Sequence, residues 1–516
     1  AGSYLLGTQT TIVGSQAGRF ASGSYNTFMG YKAGYGGTTS APYSSGEYNT
    51  AVGSLALDAF TTGTQNVAIG YQAGTDLTTG YYSAYIGVGA GQNVTSGHTH
   101  VFIGFQAGNA VTDTNQKIAI GYRAGYADGG GMDVHIGYEA GANATGGNNI
   151  GIGRDAGRGY HGVSQAEYGA NSTNTQNVSI GTFAGRTLIG SNSVNVGYNA
   201  GYYASGSQNT FVGSEAGKGG TTSAPFSSGE TNVALGYQAL TGFTTGYRNN
   251  IIGYRAGYST TTGFTNQYIG YYAGYRNTTG RANTAIGANS QQGVSGQTTG
   301  TYNVSLGENS LFGLTTGNHN FVVGSNAGYS LTSGENNIII GASAGDALTT
   351  TSNSVMIGRS AGTAINSADA NGTVLLGAYA GAAITEGQYN TAIGTSALAT
   401  EDTGDFNTAV GYEALTTQNR DGTVGNTAVG YKAGYAVTTA YSATIMGINA
   451  GVALTEGHDN TLIGANTAAS LTTGDYNTAV GSGALNSEDV GRGTTAIGYQ
   501  ALYSQNSDTN DEETNN

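Results

Sequence analysis

Side chains able to ligate a metal or move a proton are few in this chain and poorly grouped. The six histidines are His98, His100, His135, His161, His319 and His458, and only His98-Thr99-His100 forms a local pair. With no cysteine and no His-Glu-x-x-His or Cys/His spacing, neither a metal site nor a cofactor is expected. A phosphate-cradling loop needs a strand-to-helix setting and, in the Walker type, a Gly-Lys-Ser/Thr end. The Gly-x-x-x-Gly spacings here, such as Gly70 to Gly74, belong to a repeat instead. Carboxylates are too scattered to nominate an acid and base pair. Their one concentration is an acidic C-terminal tail over 503–516 with Asp508, Asp511, Glu512 and Glu513, read as a solvated end, or alternatively as a segment that docks on the next molecule. The expectation is therefore a protein that is not an enzyme. Asn-x-Ser/Thr sequences occur at Asn93, Asn143, Asn171, Asn177, Asn277, Asn303 and Asn371 as candidate glycosylation points, of which Asn177 and Asn303 are expected to be inaccessible.

The balance of charge narrows the partners. A net charge of −14, with 16 basic residues spread over 516, argues against nucleic acid, whose phosphates require clustered Lys and Arg. No apolar run reaches the roughly 18 residues of a membrane-spanning helix, so no membrane insertion is expected. Ala1 opens the chain without a signal-peptide pattern, which reads as a mature or excised chain. Gly 91 with Pro 2 excludes collagen, and 38% hydrophobic residues recurring in register exclude low-complexity disorder.

One phrase, apolar-x-aliphatic-Gly, recurs about 29 times and organises everything else. Examples are Asn66-Val67-Ala68-Ile69-Gly70 and Asn390-Thr391-Ala392-Ile393-Gly394. Its glycine falls at equal steps at Gly53, Gly70, Gly87, Gly104 and Gly121, and again at Gly430, Gly447, Gly464, Gly481 and Gly498. The dominant period is thus about 17 residues, the signature of a repeat array. Other steps are unequal, from the short one between Gly121 and Gly137 to the long one between Gly153 and Gly181, so a fixed strand is followed by a loop that absorbs insertions. Alternating β-branched residues mark a strand with one buried face. Glycine at two or three places in every period would cost about 1 kcal/mol each in a helix. The expected fold is all-β: a parallel β-solenoid (β-roll) of about 29 coils over residues 1–502, on the order of 140 Å long at the usual strand spacing.

Positions are counted here from the glycine of the phrase. Position −1 is always Ile, Val, Leu or Met (Ile69, Val212, Leu306) and +3 is usually Ala (Ala73, Ala124, Ala256), and these are expected to form a thin core. The Thr column at −3, including Thr50 and Thr391, is assigned to the same inward face, which counts against an ice-binding array. Position −2 is then outward. Its large residues, Phe28, Phe102, Phe211, Ile251, Ile339, Leu375, Ile445 and Leu462, are expected to contact a neighbouring chain, because an apolar outer stripe is a liability for a monomer. Asparagine at −4 (Asn49, Asn66, Asn232, Asn249, Asn266, Asn283) is expected to stack into a hydrogen-bonded ladder that includes Asn177 and Asn303. Aromatics at +1, such as Tyr71, Tyr122, Tyr237 and Tyr254, are read as a stacking ladder, with a sugar-binding strip as the sharper alternative. Glycine seven places before the marker, as in Thr61-Thr62-Gly63, marks a corner.

Residues 18–74 match 201–257 at an offset of 183, so a block of several coils was duplicated whole. Both prolines, Pro42 and Pro225, lie in this paired loop. Asn353-Ser354-Val355-Met356-Ile357-Gly358 and Asn192-Ser193-Val194-Asn195-Val196-Gly197 resemble the head repeats of trimeric autotransporter adhesins, and phage tail fibres and secreted filaments carry similar repeats. The resemblance implies a left-handed β-roll, a homotrimer, and an extracellular, cell-surface or virion-fibre role. In most coils Asn stands where that family has Ser, and the coil is longer. The leading functional expectation is a fibre subunit whose partners are copies of itself, side by side and end to end. The alternative is an adhesin head or phage fibre that binds a surface glycan.

Overall fold

The computed structural model describes residues 7–144, 146–159, 175–187, 189–222, 226–294 and 298–506. It resolves two compact units, 1–262 and 263–516, each a parallel β-solenoid. Fourteen three-residue strands of the repeat lie in each: Thr11–Val13 to Asn250–Ile252 in the first and Gln267–Ile269 to Thr495–Ile497 in the second. The phrase ending at Gly7 runs through residues outside the described set, as do the acidic residues of the tail, His161, Asn171 and Pro225.

Within a unit each strand pairs in parallel with the strand one coil away and without stagger. Val67–Ile69 lies between Thr50–Val52 and Ala84–Ile86, with Ala68 opposite Ala51 and Tyr85. The glycine that ends each strand closes the stack. Gly70 adopts φ 137°, and a Cβ there would collide with the carbonyl oxygen of Gly87 one coil on. Among the described residues, departures from the repeat are small: a 3-10 turn at Ala368–Ala370, and a short ladder pairing Gly404–Asp405 with Gly422–Thr423.

The structure reverses the expected inner and outer faces. Position −2 points into the core: Phe28, Phe102, Phe211, Ile251, Ile339, Leu375, Ile445 and Leu462 are all fully buried, so none is a lateral contact. Position −1 points out. Ile69 and Val212 are 40% and 37% exposed, and Leu306 is half-buried on the same face. The −3 column, Thr50 and Thr391 included, shares that outer face. Ala73, Ala124 and Ala256 at +3 are fully buried.

Alternation separates two faces without saying which is inner, and here both are apolar. The clue is size. A core column must complement its neighbours, whereas an outer column of a parallel sheet favours one β-branched type throughout. In several coils position −2 trades volume with +4: Ala51, Ala234, Ala392, Ala409 and Ala479 occur with Leu57, Leu240, Leu398, Leu415 and Leu485, all buried. Phe28, Tyr85, Phe102 and Phe211 occur instead with glycine. A Cβ on Gly108, for example, would enter the Phe102 ring.

Candidate functional site

Two features stand apart from the packing: the uncharged outer face of the strands, and a group of ionised side chains inside the first unit. Every strand of the repeat presents an aliphatic residue or methionine at −1 to the outside, and no residue at −1 or −3 is ionisable. From Val67 and Ile69 to Val194 and Val196, eight successive rungs are aliphatic in both columns. The result is a continuous apolar strip eight rungs long, and contiguous exposed apolar surface of this kind marks interaction sites.

Asparagines at −4 hold this face in register. The Asn49 amide oxygen accepts from the backbone N–H of Asn66 at 3.1 Å, while Asn66 Nδ2 donates to the Gly80 carbonyl at 2.8 Å. The same geometry recurs where Asn249 N donates to Asn232 Oδ1 (3.0 Å) and Asn283 N to Asn266 Oδ1 (3.0 Å). Each side chain thus ties a strand start to a corner glycine, a role wider than amide-on-amide stacking. Asn177, Asn277 and Asn303 are buried, which removes three of the candidate glycosylation points from solvent.

Along the +1 edge the aromatic rings stack on one another. Phe105, Tyr122 and Tyr138 are near-parallel at 5.3 and 4.9 Å, Tyr237 and Tyr254 at 5.2 Å, and Tyr412 and Tyr431 at 5.5 Å. Their faces are covered by one another and their edges meet solvent. Tyr71 is 49% exposed.

The ladder changes chemistry over four coils, where Ser83, His100, Lys117 and Asp133 replace asparagine at −4. Asp128 takes the place held by Leu77 and Val94 in earlier coils, and His135 occupies the inward −2 position. The Lys117 ammonium lies 2.7 Å from Asp128 Oδ2 and 3.5 Å from Asp133 Oδ2, and donates to the Asp128 carbonyl at 2.9 Å. His135 Nε2 is 3.2 Å from Asp128 Oδ2. Burial and the neighbouring Asp128 charge push Asp133 up to about 6. Burial acts on Asp128 too, but His135 and Lys117 outweigh it and hold that carboxyl below its usual range. Desolvation pushes His100 down to about 4. Asp128, Asp133 and His135 are the one group of the described residues whose donor atoms converge as metal ligands would, within 4.8 Å of one another. The Lys117 ammonium already supplies a cation between the two carboxylates. The sequence reading missed this cluster because its members are spread along the chain from Lys117 to His135 and only coil stacking unites them. Their shared departure from the repeat at positions −4, −2 and +7 was the available signal.

Nearby, Arg186 lies over the Phe183 and Tyr202 rings, and Arg158 is tied to Glu139 (2.7 Å) and Asp155 (3.0 Å). No described helix is long and apolar enough to cross a membrane.

No known protein family matches this chain, and no characterised protein matches it at a significant level. The outer face therefore carries the functional reading.

Proposed function

We propose that this protein is a non-enzymatic structural fibre subunit that associates side by side with copies of itself, as a homotrimer, and stacks end to end into filaments. The observation that carries this reading is the aliphatic strip from Val67 to Val196, which supplies apolar area of the kind that stable self-association buries. The lateral contact moves accordingly from the −2 column to the −1 and −3 columns. An extracellular, cell-surface or virion-fibre location rests on the resemblance to adhesin heads and tail fibres.

Sedimentation and electron microscopy of the purified chain test it. Trimers or filaments are expected. Ile103→Asp combined with Ile120→Asp should return a folded monomer that keeps the β-sheet circular dichroism of the parent, and a parent chain that is itself monomeric at all concentrations would overturn the proposal.

A second reading, glycan binding by an adhesin head, is favoured by the exposed Tyr71 ring. Loss of glycan-array binding in Tyr71→Ala, with assembly intact, would select it.

A further inference from the structure

The outer face is not uniform. In the second unit the −3 column becomes threonine on seven consecutive rungs: Thr391, Thr408, Thr427, Thr444, Thr461, Thr478 and Thr495. Each is directly opposite the next in the ladder, with no stagger. Beside them runs an equally regular −1 column, from Ile393 to Ile497.

These threonines differ from those in the corners. Corner hydroxyls are used within the fold: Thr438 Oγ1 donates to the Thr455 carbonyl at 3.1 Å, and Thr455 Oγ1 to that of Thr472 at 3.1 Å. The seven face hydroxyls, by contrast, make no side-chain hydrogen bond within the described residues and lie on the partly exposed side of the sheet. Each is therefore a hydroxyl and a methyl held at a fixed place. Rungs in a parallel sheet are roughly 4.8 Å apart and alternate residues of one strand roughly 6.6 Å apart. The face is thus a two-dimensional grid of methyl groups and unengaged hydroxyls, with no ionised group to order water around a charge.

Such a grid suits a partner that is itself periodic, uncharged and able to exchange hydrogen bonds with hydroxyls. Crystalline water meets all three requirements, with oxygen repeat distances of the same order as the grid. A partner whose surface does not repeat at every coil has no reason to select this grid, and a second copy of the chain, which does repeat, is told apart from ice by thermal hysteresis. We infer that the threonine face of residues 391–497 binds ice. The methyl columns hold water in cages between the rungs, and the hydroxyls anchor those waters to the protein, so the bound layer continues the lattice. This inference does not depend on lateral assembly through the first unit.

The test is thermal hysteresis and ice-recrystallisation inhibition of the full chain, with single-crystal shape recorded. The parent should hold a gap between melting and freezing and produce faceted crystals. Thr444→Tyr combined with Thr461→Tyr should abolish both with the melting transition unchanged. Thr461→Ser, which keeps the hydroxyl and removes the methyl, should at least halve the gap and guards against misfolding of the double variant. Glu456→Tyr, in an exposed corner off the strand face, should leave the gap as it was. A parent chain without hysteresis, whether inactive or with the face covered by another copy, overturns the inference. So does an equal loss in Glu456→Tyr.

Discussion

The coils from Leu311 to Leu485 and those from Lys117 to Asn195 are built on the same kind of backbone ladder and differ in what fills it. The former enclose a continuous aliphatic cluster, Leu314, Leu331, Ile339, Leu348, Leu375 and Leu398 among its members. In the latter the inward residues at position −2 are Ala119, His135, Gly151, Ser179 and Asn195, and the hydrophobic cluster that begins at Ala17 ends at Ala124. Yet the strands pair as regularly in one as in the other. Coil geometry is therefore set by the glycine and −4 columns together with the ladder, while the interior is free to carry apolar packing or an ion cluster.

Local opening of each coil, measured by amide hydrogen exchange, can break this comparison, because a long repeat array need not unfold in one step. The largest effect is expected for Lys117→Met, which leaves the buried Asp128 and Asp133 without their cation. Removing one partner of a buried pair costs about 3–5 kcal/mol. Protection should collapse over 101–152 and stay intact beyond 311. Leu375→Ala, in the aliphatic region, should cost about 2–5 kcal/mol, confined to the coils beside it. If both variants opened the same coils, the two regions would not be energetically separate.

Asn66→Ala comes next. It strands the Gly80 carbonyl and removes an acceptor from the next rung, at about 1–3 kcal/mol. Asp133→Asn tests the charge itself. Because this carboxyl is raised from 3.8 to about 6 in the fold, the stability it contributes is fully present below its unfolded value and lost as pH rises through 6. The asparagine variant should flatten the fall in protection between pH 4 and 7 at these coils, and an unchanged slope would place the titration elsewhere. The smallest effect belongs to Ile69→Asp. On the inward assignment this substitution would unravel its neighbours. On the observed outer face it should alter the stability of the unassembled chain by about 0.5 kcal/mol or less.

Period, strand, corner and ladder were legible in the residues because each is a column of one type at a fixed place. The sign of the strand was not. Val67, Ala68 and Ile69 are all apolar, and alternation among them defines faces without an inside. Coils in which −2 and +4 trade volume, Ala51 with Leu57 against Phe102 with Gly108, carry the clue, since enclosed residues must fit one another. The candidate site suffered the same inversion: the apolar strip and the threonine column were both visible, and both were assigned to the wrong face. Lys117, Asp128, Asp133 and His135 were hidden differently, because their proximity depends on the height of one coil rather than on distance along the chain.

The bond from a −4 asparagine to the backbone of the next coil has a consequence for the history of the molecule. A coil is recognised only by the coil beside it, so the structure keeps no record of how many there are. Unequal steps, such as Gly121 to Gly137 against Gly153 to Gly181, and a copied block of several coils can then accumulate by slippage and duplication, with selection acting on one join at a time. Length becomes a heritable trait that varies without redesign.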